Sequence, residues 1–141
     1  MMFKSKLATF VSALVLAGSV FAAQDKPEKC PGMAALQAEG MTNAAEIIEG
    51  LYLTFNLSHY DTPSTWVFVM GPIDANSEDV SLRHSNEILA SMSGTSTPED
   101  DGEGSWLCEY QTRAPGVSAF AILADDMISP LKMARYLRKT R

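Results

Sequence analysis

Residues 51–70, LYLTFNLSHYDTPSTWVFVM, carry the clearest secondary-structure pattern in the chain. In residues 51–60 apolar side chains alternate with mixed ones, which is the period of a strand with one apolar face. The turn cluster DTPS at 61–64 follows, and then the β-rich run of residues 65–70, which ends at Gly71-Pro72. Two strands joined by a short polar turn predict an antiparallel hairpin.

A second hairpin is predicted further along the chain. The runs WLCEY at 106–110 and VSAFAIL at 117–123 flank a turn at 114–116, whose sequence is APG. Between the hairpins, a helix with Val80, Ile88, Leu89 and Met92 on its buried face is predicted, and either Ser77 or Ser85 could begin it.

Helices are also predicted on either side of the hairpins. An Ala-rich segment at 33–39 is helical in composition and is stopped by Gly40, and Ser129-Pro130 is a typical helix start. Residues 43–49 fit either a helix or an entry into the first strand. Together the segments predict an α+β fold, with a four-stranded antiparallel sheet made from two hairpins and helices packed on one face.

The first 22 residues predict a cleaved signal peptide, which leaves residues 23–141 as a single domain. Lys4 and Lys6 precede an uncharged apolar run at 7–20, and Val20-Phe21-Ala22 fits a cleavage site. The apolar run is short for a membrane span. The mature protein is therefore expected to be secreted or periplasmic, with no integral membrane segment after processing.

The charge of the chain makes nucleic acid an unexpected partner. The net charge is −6, and all 17 acidic residues follow the predicted signal peptide, so the mature chain is strongly acidic. The basic residues gather near the C-terminus, where they suit either the end of a helix or a docking surface for a partner. They are Lys132, Arg135, Arg138, Lys139 and Arg141.

Cys30 and Cys108 are the only cysteines, and in an exported chain they are expected to form a structural disulfide. Free thiols, or one cysteine as a metal or haem ligand, are the alternatives. The chain contains no CxxC, HExxH, GxSxG, P-loop or GxGxxG motif, so neither a metal site nor catalysis is predicted. A Ser–His–Asp arrangement of distant residues stays open, because such sites are recognised by geometry.

Four residues are candidates for ligand binding: His59, Tyr60, Tyr52 and Trp66. Imidazole and phenolate groups ligate iron, and aromatic rings can wall a pocket for a flat ligand. His59 and Tyr60 are neighbours, so a strand would point them to opposite faces unless it ends or bulges there. Each of the four also fits an ordinary position at a strand end or in a core, whereas His84 is expected on a solvated helix face.

The signal peptide, the length, the paired cysteines and the Trp-containing strands resemble a family of small secreted bacterial proteins. One member of that family is described as haemin-binding, so the resemblance implies capture of haemin at the cell surface or in the periplasm. Two functions are therefore predicted. The first is binding of haemin or another flat ligand. The second is a protein-interaction module, an effector or inhibitor, that uses the acidic body or the basic C-terminal helix.

Overall fold

Six strands form one sheet in the computed structural model, which describes residues 25–102 and 104–124. The strand order is β1-β2-β3-β6-β5-β4, and every neighbouring pair is antiparallel. The elements in chain order are α1 (Met33–Glu39), β1 (Asn43–Ile48), β2 (Leu51–Ser58), β3 (Trp66–Asp74), α2 (Glu78–Ala90), β4 (Glu99–Asp100), β5 (Trp106–Tyr110) and β6 (Ser118–Leu123).

The prediction of a four-stranded sheet is wrong, although both predicted hairpins are present. Asn43–Ile48 forms strand β1 because it pairs with β2 along most of its length, and this pairing outweighs the helix propensity of Ala and Glu. Gly50, at φ 82°, makes the turn between the two strands, and the Glu46 carboxylate accepts its N–H at 3.0 Å. The short strand β4 pairs with β5 and adds a sixth member to the sheet.

The two described helices lie where the sequence predicts them. Helix α1 ends at Gly40, and α2 begins after Ser77 rather than Ser85. The Ser77 hydroxyl accepts the N–H of Val80 at 3.2 Å and so caps the helix. The predicted signal peptide and the helix predicted after Ser129 lie outside the described residues.

The sheet carries apolar side chains on both faces. Along β3, Trp66, Phe68 and Met70 belong to the core beneath the helices, whereas Val67 and Val69 belong to a separate cluster on the other face. Strand β6, which pairs with β3 at the centre of the sheet, divides its side chains in the same way. Strands buried on both sides account for the nearly continuous apolar runs in the sequence.

Helix α2 contacts the sheet through small polar side chains. Its buried residues are Ser81, Ser85 and Leu89, four positions apart and therefore on one stripe. The hydroxyl oxygens of Ser85 and Thr54 are 2.6 Å apart, and Thr54 also donates to the carbonyl of Met70 at 3.3 Å. The mixed face of β2 thus packs beneath the helix, and its more apolar face lies on the far side of the sheet.

Side-chain amides join the two helices and the start of β1. Gln37 of α1 donates to the carbonyls of Leu89 and Met92, both at 3.0 Å, and so satisfies acceptors at the end of α2. Asn86 of α2 accepts the N–H of Met41 at 2.8 Å and donates to its carbonyl at 3.2 Å. Within the described residues, no helix has the length and hydropathy required to cross a membrane.

Removing the buried hydroxyl of Thr54 should destabilise the fold. Thr54→Val keeps the side-chain shape but leaves the hydroxyl of Ser85 without this partner, so the free energy of unfolding should fall by about 1–3 kcal/mol. Adding Ser85→Ala should recover part of that loss, because both polar groups are then absent. Urea denaturation of the wild type, both single variants and the double variant measures the coupling. Purely additive losses would contradict it.

Candidate functional site

The structure separates His59 from Tyr60. Strand β2 ends at Ser58, so His59 lies just beyond it, exposed, with Nε2 3.3 Å from the Thr65 hydroxyl. Tyr60 adopts a left-handed backbone with φ 54° and packs against the core beneath the helices. Burial raises the pKa of the Tyr60 hydroxyl, and the nearby charge of Glu39 raises it further, so the phenolate form is disfavoured.

Tyr52 and Trp66 are also kept apart. Trp66 is opposite Ser58 at one end of the β2–β3 pair, and Tyr52 is opposite Ile73 at the other. Ser58 is six positions beyond Tyr52 along the strand, which is about 20 Å at the usual rise. Both rings are buried core members, and the Trp66 indole donates to the Thr62 hydroxyl at 3.0 Å. The four predicted ligand residues therefore do not meet in one site.

The predicted disulfide is confirmed, since Cys30 and Cys108 are bonded with their Cα atoms 5.9 Å apart. Cys108 lies on β5 and faces the helix-covered core. The Tyr110 hydroxyl, on the same strand, donates to the carbonyl of Pro31 at 2.6 Å. Burial is the largest cause that raises the pKa of Tyr110, which stays protonated and keeps donating. These two contacts fix the segment before α1 to the sheet.

Asp61 completes this attachment and so has a structural role. Its Oδ1 accepts the N–H of Gly32 at 2.8 Å, and its Oδ2 is 3.3 Å from the ammonium of Lys29. The Gly32 N–H is the main reason that the pKa of Asp61 is lowered, and Lys29 lowers it further. A side chain at position 32 would place its Cβ 2.8 Å from Oδ2, so the Asp61 carboxylate would have to shift to make room for it.

A cavity that contains a histidine opens on the opposite end of the sheet from His59. This cavity, the His84 cavity, has a volume of about 620 Å³ and is formed by α2, the end of β3 and the β5–β6 turn. Its polar side chains are His84, Glu87 and Asp74, of which the imidazole is half-buried and the two carboxylates are exposed. Its remaining walls are apolar or glycine: Leu51, Pro72, Ile73, Ile88, Pro115, Gly116 and Val117.

The helix sets the spacing of the side chains that α2 contributes. His84, Glu87 and Ile88 are three and four positions apart and therefore lie on one face of α2. This spacing could have indicated a shared surface, but the sequence placed His84 in solvent because Arg83 precedes it. A smaller cavity of about 330 Å³ lies by the β5–β6 turn. Neither cavity is lined by His59, Tyr60, Tyr52 or Trp66.

The polar side chains that line the His84 cavity do not together form a metal site. Across residues 25–102 and 104–124, no three His, Cys, Asp or Glu side chains are grouped so that they could hold a metal ion. The cavity instead offers one imidazole nitrogen for a hydrogen bond or for a metal carried by a ligand. Its carboxylates offer attraction for cationic groups at the rim.

Residues 29–136 match the family model described as Domain of unknown function (DUF4949). The chain belongs to this family. The match spans both cysteines of the disulfide, every strand and the His84 cavity. No curated protein and no solved structure matches the chain. The predicted resemblance therefore holds at the level of a family of unknown function, while the haemin-binding member stays a prediction.

The carboxylate of Asp61 should make stability depend on pH. Because its pKa is lowered in the folded state, its stabilisation is present above the pKa of the unfolded chain, about 3.9, and is lost as the pH falls through the folded value. Asp61→Asn should therefore be less stable than the wild type at pH 7 and approach it below pH 4. Chemical denaturation across pH 3–7 measures this difference.

The matched control is Glu109→Gln, which neutralises an exposed carboxylate on β5. Its difference from the wild type should vary less with pH. A difference between Asp61→Asn and the wild type that stayed constant from pH 7 to pH 3 would contradict the role of the charge.

Proposed function

We propose that the protein is an exported binding protein that captures a flat, largely apolar ligand in the His84 cavity. The observation that carries the proposal is the half-buried imidazole of His84 in a cavity of about 620 Å³ whose other walls are apolar or glycine, apart from the exposed carboxylates of Asp74 and Glu87. Small-molecule sites typically combine apolar walls with a few polar groups that fix orientation. Export is supported by the predicted signal peptide and by the Cys30–Cys108 disulfide, which is typical of oxidising compartments.

Haemin is the ligand that this chemistry fits first. A histidine nitrogen is a common axial ligand of haem iron, and apolar side chains such as Leu51, Ile88 and Val117 suit the porphyrin surface. Asp74 and Glu87 are anionic and would repel the haem propionates. The bound orientation would therefore place the propionates toward solvent, away from the two carboxylates.

Titration of haemin into the purified protein tests this proposal. The wild type should shift the Soret band and saturate at one equivalent. His84→Ala should weaken binding at least tenfold, because the iron loses its axial ligand. His59→Ala is the matched control, since it removes an exposed imidazole that lines neither cavity. Circular dichroism checks that both variants are folded.

Each result has a definite meaning. Loss of binding in His59→Ala but not in His84→Ala would place the site at the end of β2. An unchanged spectrum at stoichiometric haemin would reject haemin as the ligand. Metal-free protoporphyrin IX separates shape from ligation: if it binds as tightly as haemin, and binds equally in His84→Ala, the imidazole does not ligate iron.

A second candidate function is a protein-interaction module, and the edge of the sheet favours it. Strand β1 pairs only with β2 within the described sheet, so its outer edge presents unpaired backbone groups. Ile47 and Ile48 are 42% and 62% exposed there, and Glu46 and Glu49 add negative charge. An extended partner segment with apolar and basic side chains fits this edge, which it would extend as an added strand.

Binding at the edge of β1 can be distinguished from non-specific apolar binding with a matched pair of variants. Leu57 of β2 is 60% exposed, so Leu57→Lys removes a comparable apolar group away from the edge. The immobilised wild type and Leu57→Lys should retain the same partner from extracts, and Ile48→Lys should lose it. Equal retention by Ile48→Lys would rule out the edge, and loss in both variants would indicate non-specific apolar binding.

A further inference from the structure

Carboxylates lie on two different walls of the His84 cavity. Asp74 is at the end of β3, where it pairs with Leu51 of β2, and Glu87 is on α2, three positions after His84. Both side chains are exposed, and neither makes an ion pair within residues 25–102 and 104–124, where the one ion pair joins Lys29 to Asp61. The cavity therefore carries two negative charges that no described basic side chain neutralises.

Further acidic side chains lie near the same end of the sheet. The Glu46 carboxylate accepts the N–H of Gly50 at 3.0 Å, directly before Leu51 in the cavity wall. Burial raises the pKa of the Tyr52 hydroxyl, and the charges of Glu46 and Glu78 raise it further. Both of these carboxylates therefore act on the start of β2, and they add to the negative field around the cavity.

Basic side chains are absent from the walls of the cavity, since no lysine or arginine lines it. Arg83 directly precedes His84 on α2, and Arg113 comes two residues before Pro115 in the β5–β6 turn. Both are exposed and neither lines the cavity. Arg83 is four positions before Glu87, but the two side chains form no ion pair. A ligand in the cavity therefore meets carboxylates before it meets a guanidinium group.

We propose that Asp74 and Glu87 determine the class of ligand that the His84 cavity takes, namely flat apolar molecules that carry a positive charge. Ligands that present a carboxylate to the cavity are excluded. This selection rests on the proposed use of the cavity for a flat ligand, but it does not require that ligand to be haemin.

The donors and acceptors of the cavity rim favour a cation as well. An ionised carboxylate only accepts hydrogen bonds, so Asp74 and Glu87 can pair with an amino group of a ligand but not with another carboxylate. The rings of such a ligand would contact apolar walls such as Leu51, Ile88 and Val117, which exclude water and strengthen the attraction. Haemin meets this condition only with its propionates turned toward solvent.

Two flat probes of similar shape and opposite charge test the selection. 9-Aminoacridine is a cation at pH 7, and anthracene-9-carboxylate is an anion. In fluorescence titrations at low ionic strength, the purified wild type should bind the cation at least fivefold more tightly, because two exposed carboxylates attract one probe and repel the other. Added salt should reduce this ratio, since it screens charges at the rim.

Variants with matched net charge locate the effect. The double variant Asp74→Asn/Glu87→Gln should lower the ratio of the two affinities at least threefold. The control Glu28→Gln/Glu99→Gln removes the same charge from exposed positions outside the cavity, and its ratio should stay within twofold of the wild type. Glu87→Lys should reverse the preference, whereas Glu28→Lys should not. Circular dichroism checks that all variants are folded.

The outcomes separate charge selection from haemin binding. Equal affinities of the two probes for the wild type, an equal fall of the ratio in both double variants, or no binding of either probe would overturn the selection. Haemin that binds while 9-aminoacridine does not would also overturn it and leave the haemin proposal intact. A preference for the cation that depends on Asp74 and Glu87 would support the selection even if haemin failed to bind.

Discussion

A sheet that is apolar on both sides must be covered on both sides, and the rest of this structure depends on that constraint. Strands β3 and β6 form the centre, and their alternating side chains commit Phe68 to one face and Val69 to the other. A slip of one residue would exchange the two sets, so burial of the side chains on both faces favours the same register. Helices α1 and α2 and the disulfide lie on one side of this sheet, and the side chains on its other side, such as Val69 and Phe120, are buried as well.

On the side of the sheet that the helices cover, α2 packs close to the strands and makes few side-chain hydrogen bonds to them. Serines on α2 allow the helix to lie near the sheet, and the hydroxyl pair of Ser85 and Thr54 replaces an apolar contact at that point. Each hydroxyl of such a buried pair stabilises the fold only while the other is present, because either group alone would lack a hydrogen-bond partner. They therefore specify one position of the helix over β2.

The strands of both hairpins could be predicted from local pattern. Trp106–Tyr110 matches its strand throughout, and Met33–Glu39 matches its helix, because apolar period, Gly40 and turn residues all agree there. Strand β1 could not be assigned, since the Ala and Glu of residues 43–49 favour a helix locally and only pairing with β2 decides otherwise. Local sequence determines the propensity of a segment for helix or strand, but it does not show which strand of a sheet is available for pairing.

The candidate site was harder to predict for a related reason. His59 stood out because it follows a strong strand, but the strand ends before it and leaves it in solvent. The His84 cavity exists only because α2 meets the turn at Pro115 and the end of β3, segments that are far apart in the chain. Periodicity could place His84 and Glu87 on one face of a helix, but it could not show what that face would meet.

The amide of Asn86 has a consequence for the open edge of the sheet. Its oxygen and nitrogen bind the N–H and carbonyl of Met41, as a neighbouring strand would, two residues before β1 begins. Sliding β1 along β2 would break both bonds, so α2 fixes the alignment of a strand that, among the described strands, pairs on only one side. The backbone donors and acceptors on the outer side of β1 are thus held in fixed positions, and an added strand would pair with them in a defined register.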